Sequence, residues 1–121
     1  MSLATTLGDK VSACSVYYVF MPDEGCFVFA SNFETEHIEF ILQHPEVAGT
    51  IHEEQRDISV IKGLQIKGMV EQGHSRHEHA YVHAFPEAQV MKKEIWVLKP
   101  TQLKYTDNHD IGFGQKLIWQ V

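Results

Sequence analysis

The chain of 121 residues is poor in the features that mark several whole classes of protein. It has two cysteines, Cys14 and Cys26, too few for the disulfide framework of a small secreted domain. Arginine occurs only at Arg56 and Arg76, and Lys+Arg 10 against Asp+Glu 16 leaves a net charge of −6. An acidic chain has no overall attraction to a polyanionic backbone, so nucleic acid is not expected as a partner. The longest apolar runs, such as residues 26–30, are strand-sized and far short of the ~20 residues a membrane helix needs, so no membrane association is expected either. No basic region followed by an apolar stretch and a small-residue cleavage site opens the chain, which predicts a cytoplasmic protein. There, Cys14 and Cys26 are expected to be free, buried thiols, although adjacent strands would let them pair. No linker, internal repeat or low-complexity tract interrupts the sequence, which predicts one domain over residues 1–121. Nucleophile elbows, P-loops and paired carboxylates at acid–base spacing are also absent.

What remains is an ordinary globular composition, 44% hydrophobic and 11% aromatic. A core of this size buries roughly two-thirds of the surface that the unfolded chain exposes, without help from metal or disulfide. Residues 3–7, the turn 8–10 and residues 11–20 predict a hairpin, since β-branched and aromatic residues flank a turn with Gly and Asp. A second turn, 21–25, leads into a strand at 26–31, so the first three strands are expected to form a meander. Ile38, Ile41 and Leu42 fall at helical spacing; Asn32 or Thr35 can cap that helix and Pro45 ends it, giving about three turns. Alternation predicts strands at 46–53 and 62–72. Helical character returns at 75–85, with Tyr81, Ala84, Phe85 and Ala88 near one stripe until Pro86 breaks it. Strands are expected at 94–98, 103–105 and 115–121, with turn chemistry at 107–114. Many short antiparallel strands with few helices predict a small closed or split barrel, with an open α+β sheet as the alternative.

Read in order, Ser15-Val-Tyr-Tyr-Val-Phe20, Phe29-Ala-Ser-Asn32, Thr35-Glu-His37, Val47-Ala-Gly-Thr-Ile51, Gly63-Leu-Gln-Ile-Lys-Gly68 and Ile118-Trp119 form a recognisable series. It resembles the pyridoxamine 5'-phosphate oxidase-like, FMN-binding split-barrel family. Lys104-Tyr-Thr-Asp-Asn108 with Gly112-Phe-Gly114 and Trp119 looks most like the family's YhbP-like branch. The resemblance covers essentially the whole chain. It implies a mainly β fold with short helices, a six-stranded antiparallel split β-barrel, working as a homodimer with FMN held non-covalently in each of two clefts built by both subunits. It also implies a flavin-dependent oxidoreductase acting on a small molecule. The alternative is a non-catalytic homodimeric split barrel that binds or senses flavin, F420 or haem, or has lost its cofactor. A direct pyridoxamine phosphate oxidase is disfavoured, because two arginines do not make an arginine-rich substrate-phosphate site.

The candidate cofactor-binding residues follow from that series and from their chemistry. Ser31, Asn32, Thr35 and His37 surround the start of a helix, where free N–H groups and a positive dipole end favour a phosphate. The same residues also read simply as a helix cap. Glu36 stands where many flavin-binding members carry Arg or Lys, and a carboxylate beside a phosphate weakens binding unless it points away. Lys62 and Arg56 are the nearest spare cations in the family order. Ser15, Tyr17 and Tyr18 lie where the family lays the flavin ring; successive strand residues face opposite ways, so only one tyrosine can face the interior. Both also read as core or interface aromatics. Gln65, on the strand 62–72, matches a family Gln that hydrogen-bonds the ring, or is a solvated strand residue. Lys116 and Trp119 complete the set, since a C-terminal Trp can wall a flavin pocket or anchor the chain end. No catalytic acid, base or nucleophile stands out, as suits a protein whose cofactor carries the chemistry.

Of the eight histidines, four are crowded into His74, His77, His79 and His83. His79 and His83 share a helix face at i,i+4, but a metal needs a third ligand and neither Cys lies near them in sequence. The cluster therefore reads as a solvated helix surface, with no metal site assigned, although a haem-binding split barrel would need one such histidine as axial ligand.

Overall fold

The computed structural model describes residues 1–121. Two glycines open it. Gly8 and Gly25 take φ of +61° and +63°, left-handed values that glycine adopts freely. Gly8 is the first residue of a two-residue turn joining β1 (Ser2–Leu7) to β2 (Lys10–Ser15). Gly25 ends the turn joining β3 (Tyr18–Met21) to β4 (Cys26–Ala30). After β4 come α1 (Glu36–Gln43), β5 (Glu46–His52), a 3-10 turn (Ile58–Val60), β6 (Lys62–Gln72), α2 (Ser75–Ala84), α3 (Ala88–Met91), β7 (Ile95–Asp107) and β8 (Lys116–Gln120). The eight strands form one antiparallel sheet in the order β2-β1-β5-β6-β7-β4-β3, with β8 paired to β7. No helix is long and apolar enough to cross a membrane.

This is the mainly β, split-barrel class that the sequence predicts, with eight strands in place of six. The details differ in three places. The expected strand 11–20 breaks at Val16 and Tyr17, and its halves β2 and β3 lie at opposite ends of the sheet order, so there are two hairpins and no meander. The expected strands 94–98 and 103–105 are one 13-residue strand, β7. Helix α1 has 8 residues, nearer two turns than three, and buries Ile38, Phe40 and Ile41 while Leu42 stays exposed.

Strand β7 organises the sheet. It pairs with β6 along most of its length, with β4 through residues 95–98 and with β8 through residues 102–106. Between these halves sits Pro100, which has no N–H to give a ladder and is tolerated where pairing changes hands. It faces Gly68, where the register with β6 shifts, and the Thr101 hydroxyl donates to the Lys67 carbonyl at 3.1 Å beside the irregularity. A Cβ at Gly68 would lie 2.5 Å from the Lys99 carbonyl oxygen and 2.8 Å from Leu98 Cδ2.

Strand β4 is buried on both faces, as a continuous apolar run permits. Phe27 and Phe29 enter one core with Leu3, Ile38, Ile41, Val47, Ile66, Val70, Trp96 and Leu98, beneath α1. Cys26 and Val28 enter a second core with Val97 and Tyr81, beneath α2. Burial of each large side chain contributes about 1.5–3 kcal/mol. Cys14 and Cys26 are both free, because β2 and β4 are not neighbours in the sheet.

The Gly68→Ala variant is expected to lose about 1–3 kcal/mol, because the nearest obstructing atom, the Lys99 carbonyl oxygen, is backbone that cannot swing aside. Urea unfolding checks this; an unchanged midpoint would mean that β7 does not need the close approach.

Candidate functional site

The break between β2 and β3 carries the chain from one end of the sheet order to the other and leaves Ser15 and Tyr17 beside the end of β4. Helix α1 starts just beyond that end, and α2 lies on the other side. The gap is an open cleft of about 970 Å³, at the upper end of the usual range for small-molecule sites. Ser15, Tyr17, Ser31, Asn32, Thr35 and His37 line it together.

The α1 end is built from β4 outward. The Ser31 N–H donates to the Glu94 carbonyl at 3.0 Å, and the buried Trp96 Nε1–H donates to the Ser31 carbonyl at 2.9 Å. Thus fixed, the Ser31 hydroxyl lies 2.8 Å from His37 Nε2, and the Thr35 hydroxyl lies 3.4 Å from the same nitrogen. Burial lowers the His37 pKa below its usual 6.5, so the ring is neutral at pH 7. Thr35 occupies the N-cap position, but its hydroxyl donates to the Asn32 carbonyl at 2.9 Å and makes no cap bond. The first N–H groups of α1 therefore have neither an intrahelical partner nor a side-chain acceptor, and Thr35 and His37 place this end at the cleft. Glu36 is exposed and does not line the cleft, which removes the carboxylate that would oppose an anion there.

The opposite wall is aromatic. Tyr81 and Phe85 have ring centroids 5.0 Å apart, Tyr17 tilts against Phe85 at 5.8 Å, and the Tyr81 hydroxyl donates to the Tyr17 carbonyl at 3.3 Å. Tyr17 remains 79% exposed. Lys92 and Lys93 stand on the same rim. Sequence reasoning did not find this wall: the stripe of Tyr81 and Phe85 reads as an ordinary apolar helix face, and only docking of α2 on β4 turns it toward a cavity. The lysines carry no local signal beyond their charge.

Five predicted site residues lie outside the cleft. Tyr18 points the other way from Tyr17 and packs edge-on against Phe27 at 5.9 Å. Lys62 and Gln65 are exposed on β6, opposite Asp107 and Lys104. Lys116 donates to the Thr106 hydroxyl at 2.9 Å, and Trp119, 48% exposed, pairs opposite Leu103. The last four belong to β6 and β8, beside the second half of β7, whereas the cleft lies against its first residues.

The histidine cluster divides. His74, His79 and His83 are exposed, as a solvated helix face requires, but His77 is 1% exposed. The His77 Nδ1 accepts from the His74 N–H at 2.9 Å, so the ring proton sits on Nε2 and is given to Glu24 Oε1 at 3.1 Å. Arg76 grips the same carboxylate twice, Nε to Oε2 at 2.9 Å and Nη2 to Oε1 at 3.1 Å. Cys26 lies beside them, its thiol pKa pushed up chiefly by burial. A metal on this Glu24, Cys26 and His77 group would have to displace the Nε2 proton and sit next to the Arg76 guanidinium. The group works instead as a clasp that fastens the β3–β4 turn to the first turn of α2, and so sets the aromatic wall.

Hydrogen bonds from Arg76 and then from His77 hold the Glu24 carboxyl down to about 2, against its usual 4.5. A pKa lowered by folding gives stability that is complete above pH 4.5 and is lost as the pH falls toward 2. Glu24→Gln is therefore expected to flatten this part of the acid limb: its urea midpoint should fall less than that of the wild type across that window. Parallel acid limbs would show that the clasp does not hold α2.

No family model matches the chain. A UPF0306 protein of Photorhabdus laumondii is 38% identical over 124 residues, which span 99% of this chain and 86% of that protein. Among solved structures, a haem-binding protein from Mycobacterium smegmatis superposes with a TM-score of 0.81 at 18% identity; the match covers 98% of this chain and 51% of that one, so the chain spans about half its length. A protein from Listeria innocua named for pyridoxamine 5'-phosphate oxidase gives 0.70 at 16% identity over 86% of this chain and 85% of its own. A FAD-binding protein from Mesorhizobium loti gives 0.69 at 14% identity over 84% and 80%. These structures share the split-barrel fold with the chain, and by its sequence likeness the chain belongs to the UPF0306 family.

Proposed function

We propose that this chain is an FMN-binding protein that works as a flavin-dependent oxidoreductase on a small molecule, with the flavin phosphate at the α1 end of the cleft. The observation that carries the reading is the uncapped start of α1, with the hydroxyls of Ser31 and Thr35 and the His37 ring beside it, facing an aromatic wall in one cavity. Free N–H groups and the Ser31 hydroxyl suit a phosphate; Tyr17, Tyr81 and Phe85 suit a planar ring, and about 970 Å³ leaves room beside a cofactor. When bound, the flavin supplies hydride and electron transfer, and the chain supplies position and a donor-lined pocket. The FAD-binding structural neighbour supports the flavin class, and the series of matching residues at 104–119 supports placement in the YhbP-like branch.

The protein acts as a homodimer of single-domain chains in the cytoplasm, with no nucleic acid or membrane as partner. Leu117, Ile118, Trp119 and Val121 are 44–82% exposed along β8 and the chain end, an apolar surface that a second copy would cover. In such a dimer one of two pairs meets the partner's cleft, Lys62 with Trp119 or Gln65 with Lys116, because the strands turn the two pairs to opposite faces of the sheet. A second reading, haem binding without catalysis, draws on His74, an exposed imidazole on the cleft wall, and on the haem-binding neighbour.

Protein incubated with FMN and desalted is expected to retain the flavin absorption and to elute with the mass of two chains by light scattering. Ser31→Ala with His37→Gln should weaken FMN about tenfold or more, the worth of one or two hydrogen bonds to a charged group. Unchanged retention in that double variant would remove the phosphate from α1. Loss of FMN together with a Soret band after haem addition would favour the haem reading.

A further inference from the structure

We propose that His37 meets the flavin phosphate as a proton-coupled cation: the ring takes up a proton when the phosphate arrives and releases it when the phosphate leaves. This role rests on the flavin reading for the α1 end of the cleft, and it makes the proton concentration a regulator of that site.

The ring's tautomer is fixed by its neighbours. The Thr35 hydroxyl has one hydrogen and gives it to the Asn32 carbonyl at 2.9 Å, so toward His37 Nε2, 3.4 Å away, Thr35 Oγ1 can only accept. Nε2 therefore carries the ring proton, and its nearer acceptor is Ser31 Oγ at 2.8 Å. That leaves the hydrogen of the Ser31 hydroxyl with no acceptor in the chain, on a side chain that lines the cleft and belongs to a residue only 6% exposed. A buried hydroxyl with an unclaimed hydrogen calls for an acceptor from outside. Nε2–H, the Ser31 hydroxyl and an incoming phosphate oxygen then make one run of donors, each polarising the next.

Charge is the second observation. With the proton on Nε2, Nδ1 is the free base of the ring, and it has no hydrogen-bond partner in the chain. The titratable groups on the elements around it are Glu36 and Glu39 on α1, Tyr17 on the β2–β3 crossing, His74 and Glu78 on α2, and Glu94 just before β7. None of them bonds to the ring, and burial alone lowers its pKa. The cleft's permanent cations, Lys92 and Lys93, are exposed on the aromatic rim opposite. Among the residues at the α1 end, only His37 can become positive. A phosphate dianion beside this ring favours its charged form, so a proton from solvent adds to Nδ1 as the phosphate binds. The sign of the linkage follows: the contribution of this charge is complete below the pKa of the free ring, and is lost as the pH rises through the higher pKa of the bound state.

Calorimetric titration with FMN in two buffers of different ionisation enthalpy counts the protons taken up, with riboflavin as the ligand that lacks the phosphate. Above pH 7 the phosphate, whose second pKa is about 6, is already a dianion, so uptake there belongs to the protein. The wild type is expected to take up a fraction of a proton with each FMN and none with riboflavin, and its FMN affinity should fall at least about threefold from pH 7 to pH 9. His37→Gln keeps a donor for Ser31 but cannot be charged. It should lose both the uptake and the pH dependence, and hold FMN with the affinity that the wild type has at high pH. A ring that only positioned Ser31 would not move either readout. His74→Gln should keep both, which sets aside the other imidazole of the cleft. FMN binding without proton uptake, or with equal uptake in His37→Gln, would overturn the proposal and leave the flavin reading standing. Failure of the wild type to bind FMN at any pH would overturn the flavin reading and the role of His37 with it.

Discussion

The double burial of β4 is the constraint on which the rest depends. Phe27 and Phe29 face one way and Cys26 and Val28 the other, so each face needs its own cover, and the chain supplies α1 on one side and α2 on the other. Two helices on opposite faces of one strand leave a gap where the strand stops. That gap is the cleft, and its walls are the start of α1 and the aromatic face of α2. The position of the site is thus set by hydrophobic burial, before any polar group in it is considered.

Two smaller devices hold the geometry. Trp96, fully buried in the first core, ties down the Ser31 carbonyl and with it the residues that meet His37. On the other side, Glu24 joins the β3–β4 turn to α2 through Arg76 and the buried His77. The α1 hydroxyls have their orientation from the first device, and the aromatic wall has its angle from the second. Both devices join residues more than 50 positions apart in sequence.

Alternation made β5 and β6 legible almost to the residue, because a half-buried strand writes its two faces directly into its sequence. The α1 end of the site was legible for a similar reason: a short polar cluster between an apolar strand and an apolar helix can hardly be anything but a helix start. The break at Val16 and Tyr17 was not, since β-branched and aromatic residues run through it without a Gly or Pro, and only the topology shows that β2 and β3 part. The separation of 94–98 from 103–105 failed in the opposite direction: β7 runs on through Pro100, with Gly68 opposite it. His77 was indistinguishable from its solvated neighbours in sequence, and its burial depends on a carboxylate 53 residues away. Lys92 and Lys93 enter the cleft through a left-handed turn that no pattern of hydrophobicity announces.

The proposed flavin site turns on a phosphate at the open end of α1. Comparing the affinities of FMN and riboflavin for the wild-type chain, by quenching of flavin fluorescence, isolates that one group, because the two ligands share the same ring. FMN is expected to bind at least about tenfold more tightly. Equal affinities would contradict it, since the ring would then be held by the aromatic wall alone and the start of α1 would be an ordinary helix end.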